Sequence, residues 1–89
     1  MKAKLVSYST EGLTPTQRSI VSKRINGYID KSNRSRYIYK REGIIERIPH
    51  IKITYNTFII RDEDFPILKK ELNKLGVKIK TWNIEINKI

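Results

Sequence analysis

Residues 23–41 carry the side chains of this sequence that are best suited to binding an anion. Their sequence, KRINGYIDKSNRSRYIYKR, holds seven cations, one carboxylate and three tyrosines, which gives a local charge of +6 within a chain of net charge +10. Cations gathered in this way repel one another. The commonest partner that relieves the repulsion is a phosphate backbone, which releases its condensed counterions when it is bound. We therefore expect this basic segment to bind nucleic acid.

The residue types within the basic segment distinguish it from a surface that only keeps a protein soluble. Tyr28, Tyr37 and Tyr39 offer flat, partly polar rings that can stack on bases or pack beneath cationic side chains. Arginine appears where lysine would serve solubility equally well, and its planar fork suits bidentate contact with phosphate or with a guanine edge. A solvated, charged surface remains the alternative interpretation.

The rest of the chain offers few residues suited to catalysis or metal binding. The absence of cysteine excludes disulfides, thiolate metal sites and cysteine nucleophiles. His50, the only histidine, could act as the general base of a small nuclease, but the pattern favours a half-buried turn residue. Asp62, Glu63 and Asp64 are adjacent in sequence and are expected to favour a helix N-terminus rather than to bind a metal. We expect a non-enzymatic protein without cofactor or metal.

The length and patterning of the chain predict one small α+β domain. Eighty-nine residues suffice for a single domain with one modest core. A capping box formed by Thr14 and Gln17, with Pro15 at the first helical position, predicts a helix that ends near Gly27. The other expected elements are a strand over Lys2–Ser9, a hairpin over residues 51–60, a helix over residues 62–76 and a last strand over residues 77–86 with a bulge near Lys80.

Residues 29–43 fit two structures. Ser32 or Asn33 can cap a helix that runs to Gly43, whereas the β-branched and aromatic run over residues 37–39 is typical of a strand. The helix would place Arg34, Arg36 and neighbouring side chains in a DNA groove. The strand would place them on a sheet surface, where aromatic rings stack on the bases of single strands.

Residues 43–65 resemble the wing of the excisionase and MerR-type winged helix-turn-helix domains. The sequence is GIIERIPHIKITYNTFIIRDEDF, and the residues that match the family pattern are Gly43, Ile48-Pro49, Lys52-Ile53, Ile60-Arg61 and the acids at 62–64. The resemblance implies a recognition helix over residues 33–42, a wing tip over residues 52–57 and dimers on paired half-sites of double-stranded DNA. The alternative fold is ferredoxin-like, with the order β-α-β-β-α-β and residues 37–39 as the second strand.

Together these patterns predict a DNA-binding protein that regulates transcription or associates with the chromosome. The alternative is a small basic RNA-binding or ribosome-associated protein. No apolar run approaches the ~18 residues of a membrane span, so we expect a cytoplasmic, nucleoid-associated protein and no membrane partner. The last strand and second helix are the expected elements of a homodimer. The predicted nucleic-acid-binding residues are Arg18, Lys23, Arg24, Lys31, Asn33, Arg34, Arg36, Tyr37, Lys40, Arg41, Lys52, Tyr55 and Asn56.

Overall fold

A computed structural model describes residues 1–32 and 37–89 of the chain. The helices are α1 (Pro15–Asn26) and α2 (Phe65–Lys74), and short 3-10 helices lie at Ile45–Arg47 and Asp62–Asp64. The strands are β1 (Lys2–Ser9), β2 (Tyr28–Ser32), β3 (Tyr37–Arg41), β4 (His50–Thr54), β5 (Thr57–Arg61) and β6 (Lys78–Glu85). The described residues therefore form a small α+β domain with two α-helices and six strands in antiparallel sheets. The α+β class is the one that the sequence predicts.

Four of the strands form the main sheet, in the order β4-β5-β1-β6. Every neighbouring pair in this sheet is antiparallel. When β2 and β3 are left aside, the order of elements is β-α-β-β-α-β, which is the order of the ferredoxin-like alternative. The assignment of residues 37–39 to the second strand of that sheet is wrong, because His50–Thr54 occupies this position.

A separate hairpin, β2 and β3, is inserted between α1 and the rest of the main sheet. The expected recognition helix over residues 33–42 is wrong for Tyr37–Arg41, which pairs with β2 as a strand. Asn33, Arg34 and Arg36 lie outside the described residues. The expected wing hairpin is present as β4 and β5, but β5 also pairs with β1, so this hairpin is part of the main sheet. The winged helix-turn-helix arrangement is not confirmed.

Both helices pack on one face of the main sheet. Val6 and Tyr8 of β1 and Phe58 and Ile60 of β5 point to this face, because directly opposed residues of antiparallel strands share a face. These four side chains are almost fully buried. The helices contribute the buried residues Val21, Ile25, Leu68 and Leu72, and the first 3-10 helix contributes Ile45. The core thus lies between the main sheet and the helices, and each of these elements contributes a few apolar side chains to it.

The termini of α1 form as the sequence predicts. The Thr14 hydroxyl accepts a hydrogen bond from the Gln17 backbone N–H at 3.2 Å, and the Gln17 side chain accepts one from the Thr14 N–H at 2.9 Å. Gly27 ends the helix with a φ of 78°, a conformation that L side chains rarely adopt. The position where α1 ends and β2 begins is therefore set by local sequence.

The expected bulge in the last strand is absent, because β6 pairs with β1 without interruption from Lys78 to Glu85. The irregularity lies instead in β4, between Lys52 and Thr54. The apolar alternation of β6 is broken for a different reason: one face of this edge strand is uncovered, and Trp82 is 49% exposed there. No helix among residues 1–32 and 37–89 is long and apolar enough to span a membrane.

Candidate nucleic-acid interface

The hairpin formed by β2 and β3, named the arm below, has two chemically different faces. Its register places Tyr28 opposite Arg41 and Asp30 opposite Tyr39. Since side chains alternate along a strand, these residues share one face with Tyr37. The opposite face consists of alternating apolar and cationic residues, namely Ile29, Lys31, Ile38 and Lys40.

The first face of the arm carries an exposed aromatic stack beside a cation. The rings of Tyr37 and Tyr39 are stacked, with centroids 6.3 Å apart and an angle of 21° between their planes. The Arg41 guanidinium lies 5.5 Å from the centre of the Tyr39 ring, and an Arg41 nitrogen lies 3.3 Å from a carboxylate oxygen of Asp30. Tyr37 and Tyr39 are each about half exposed, so their outer surfaces are open to a ligand.

The second face of the arm exposes both cations and apolar side chains. Ile29 and Ile38 are 55% and 63% exposed, and Lys31 and Lys40 are exposed beside them. An isolated two-stranded hairpin is only marginally stable in water. A ligand that covered this face would therefore bury apolar surface and neutralise charge at the same time.

The root of the arm is held by two glycines and one carboxylate. Gly27 precedes β2 and Gly43 follows β3, and a Cβ on Gly43 would overlap the Ile25 carbonyl oxygen and the Gly27 nitrogen. Glu46 accepts a hydrogen bond from the Gly43 N–H at 3.3 Å and pairs with Lys40 at 3.2 Å. These two contacts, first the backbone N–H and then Lys40, lower the pKa of Glu46 from its ordinary value. The two chain segments that carry the arm are thus fixed against each other.

A cleft of about 420 Å³ opens beside this root, and three cations line it. Lys23 and Arg24 come from α1, and the Lys23 ammonium lies 5.1 Å from the centre of the Tyr28 ring. Arg47 lies on the same cleft but was not predicted from the sequence, where no local pattern connects it with α1. Two carboxylates, Glu42 and Glu71, also line the cleft. Because three cations outnumber these two carboxylates, the cleft keeps a small excess of positive charge beside the arm.

The structure separates the remaining predicted residues from this surface or gives them other roles. Arg18 is exposed near the start of α1 and does not line the cleft, and Lys52 is exposed on the edge strand β4. Tyr55 is 69% exposed in the β4–β5 turn. Asn56 is a structural residue of that turn: its amide donates to the Tyr8 carbonyl at 3.0 Å, and its side-chain oxygen accepts from Thr54 at 2.8 Å.

His50 lies at the start of β4 and is partly buried, as the sequence predicts. Its Nδ1 atom is 2.8 Å from the Ile48 carbonyl oxygen, a geometry in which this nitrogen donates its proton. Among the residues that the structure describes, no group of three or more histidine or carboxylate side chains is placed to hold a metal ion.

Comparison of this chain with models of protein families, with curated proteins and with solved structures finds no match. The candidate interface therefore rests on the geometry of its own residues. The described residues that it brings together are Lys23, Arg24, Tyr28, Lys31, Tyr37, Tyr39, Lys40, Arg41 and Arg47.

Proposed function

We propose that this protein is a non-enzymatic DNA-binding protein whose arm enters a groove of the duplex. The single observation that carries the proposal is a two-stranded ribbon, separate from the main sheet, with cations on both faces. The described cations of the arm are Lys31, Lys40 and Arg41, and Lys23 and Arg24 lie at its root. Regulation of transcription or organisation of the chromosome is the role that follows from such binding.

The size of the arm supports insertion into the major groove. This groove is about 12 Å wide and admits a two-stranded β-ribbon. Strands of five residues are about 17 Å long, which is enough to cross the groove. With one face of the ribbon against base edges, cations at its margin and at its root would reach the flanking phosphates. Such phosphate contacts position the protein, and contacts from the inserted face specify the sequence.

A second candidate is binding of single-stranded RNA or DNA along the tyrosine face. The observation that favours it is the exposed stack of Tyr37 and Tyr39 with Arg41 beside it. Stacking on aromatic rings requires unpaired bases. Both candidates use residues of the arm, so they are distinguished by whether the protein prefers duplex or single-stranded nucleic acid.

A mobility-shift competition among duplex DNA, single-stranded DNA and structured RNA tests both candidates. In the preferred mode, duplex DNA binds most tightly, and the double variant Lys31→Ala/Arg41→Ala weakens it about tenfold or more through lost phosphate contacts. The matched control is Lys69→Ala/Lys70→Ala, which removes the same charge from exposed positions of α2. Equal losses in the two variants would mean that charge alone drives binding and that the arm is not the site. Tighter binding of a single strand that is itself weakened by Lys31→Ala/Arg41→Ala would favour the second candidate.

A further inference from the structure

The face of the main sheet that lies opposite the helices, named the open face below, carries a continuous apolar row. Trp82 of β6 pairs with Leu5 of β1, Leu5 pairs with Ile59 of β5, and Ile59 pairs with Ile51 of β4. With strands about 4.8 Å apart, this row is about 14 Å long. Neither Trp82 nor Ile51 is covered, since they are 49% and 38% exposed. The row therefore crosses the whole sheet and ends at its most exposed side chain.

The same face is cationic beside Trp82. Lys78 and Lys80 precede Trp82 at alternate positions of β6, so all three side chains share the open face at intervals of about 6.7 Å. Both lysines are exposed. No carboxylate occupies an open-face position of the four strands, all of which lie within the described residues. Glu63 and Asp64 pair with Arg61, at the far end of the sheet from Lys78.

These features fit an anionic ligand that also presents flat apolar surfaces. A base stacks favourably on a tryptophan ring, while the backbone of the same strand supplies phosphates to neighbouring lysines. A duplex does not fit, because its base faces are already stacked and a four-stranded sheet is too wide to enter a groove. A second copy of this chain would bury the apolar row, but it would also bring together two molecules of charge +10.

We infer that the open face is a second nucleic-acid site that binds an unpaired strand, with a base on Trp82 and phosphates on Lys78 and Lys80. The site lies on the face of the main sheet that the helices do not cover, and it shares no residue with the arm. It goes beyond the proposed function, because it does not depend on the arm or on duplex binding. A protein with both sites would suit nucleic acid in which a duplex adjoins a single strand.

The fluorescence of Trp82 tests this inference directly, because Trp82 is the only tryptophan in the chain. The probe is an oligothymidylate of about 10 nucleotides, within the range of known single-strand sites. We expect saturable quenching of Trp82 by this strand and little change with a duplex of equal length. The variant Lys78→Gln/Lys80→Gln should shift the quenching midpoint to about tenfold higher strand concentration. The charge-matched control Lys69→Gln/Lys70→Gln should leave the midpoint unchanged.

Four results would overturn the inference. A labelled strand that binds, by fluorescence anisotropy, without altering the emission of Trp82 would place the site elsewhere. Equal midpoints for the two lysine variants would show a general charge effect, and the absence of any strand binding would exclude the site. Emission that depends on protein concentration without nucleic acid, together with a dimer mass by light scattering, would show that a second copy covers the open face.

The arm variant Lys31→Ala/Arg41→Ala separates this inference from the proposed function. We expect it to lose duplex binding while its Trp82 quenching by the single strand stays at the wild-type midpoint. Quenching without any duplex binding by the wild-type protein would reject the arm proposal and leave the open face supported. Duplex binding without quenching would do the reverse.

Discussion

Tyr8 joins the main sheet to the helix from which the arm begins. Its hydroxyl donates to the Tyr55 carbonyl oxygen at 3.1 Å and accepts from the Asn26 amide at 3.3 Å, and the Asn26 amide also donates to the same carbonyl at 3.1 Å. The Tyr8 ring is almost fully buried. Asn26 is the last residue of α1, so this network sets the end of the helix against the β4–β5 turn. One buried hydroxyl thereby helps to fix the start of the arm.

Replacing Tyr8 by phenylalanine keeps the ring and removes this hydroxyl. We expect Tyr8→Phe to lower the free energy of unfolding at neutral pH by about 1 kcal/mol, the usual net value of one such hydrogen bond. Urea titrations of the wild-type and variant proteins measure this difference. Tyr55→Phe, which changes an exposed hydroxyl, is the matched control and should cost much less.

The wild-type protein and Tyr8→Phe should also differ in how much stability they lose at alkaline pH. Burial raises the pKa of Tyr8, and the Asn26 hydrogen bond opposes that shift only in part. The folded state therefore favours the neutral phenol of Tyr8. The contribution of this preference to the free energy of unfolding is fully present below the unfolded pKa of about 10, and it is lost as pH rises through the higher folded pKa. Urea titrations near pH 7 and above pH ~10 should show a smaller alkaline loss of stability in Tyr8→Phe. Identical losses would contradict this assignment.

At the scale of elements, the arm is the part of the fold whose secondary structure the sequence patterns did not determine. The caps of α1, the rows of α2 and the β4–β5 hairpin were predicted, because each carries a local signal and because α1, α2 and β5 each have a buried face. None of the residues of β2 and β3 whose burial is described is buried, and all five residues of β3 are exposed. Without burial there is no apolar period to distinguish strand from helix, so Tyr37–Arg41 fitted both. Tyr37–Arg41 forms a strand because it pairs with β2.

The root of the arm gives a prediction at this scale. Gly43→Ala would place a methyl group against the backbone of Ile25 and Gly27, so the arm must shift away from α1. We expect a lower melting temperature, faster tryptic cleavage within the arm and weaker nucleic-acid binding. Gly76→Ala is the control: unlike Gly43, Gly76 has a positive φ, at 73°, and a Cβ added there would meet no other part of the chain within 4 Å. That variant should lose about 1–2 kcal/mol from backbone strain alone.

The test is the difference in nucleic-acid binding between Gly43→Ala and Gly76→Ala. If Gly76→Ala weakens nucleic-acid binding as much as Gly43→Ala does, loss of stability alone explains both results. In that case the close contact at the root does not orient the arm. Circular dichroism at the assay temperature shows whether each variant is folded when its binding is measured.

At the scale of the whole molecule, charge was predictable and its placement was only partly so. The +10 net charge and its concentration in residues 23–41 are properties of composition. The sequence also grouped Lys23, Arg24 and Arg41 with the basic segment, and the structure places them around one root. It could not place Arg47 on the cleft, because that position depends on how the first 3-10 helix packs against α1. Local patterns thus predicted the arm's composition, and tertiary structure determined its surroundings.

The salt dependence of duplex binding measures how much of this charge contacts phosphate. Each phosphate contact contributes about −0.9 to the slope of log K against log salt concentration on duplex DNA. If Lys31 and Arg41 each neutralise one phosphate, the variant Lys31→Ala/Arg41→Ala should have a slope shallower by about 2. Lys69→Ala/Lys70→Ala removes the same net charge from α2 and should keep the wild-type slope. Equal slopes in both variants would show that the duplex senses the overall charge of the protein and not the arm.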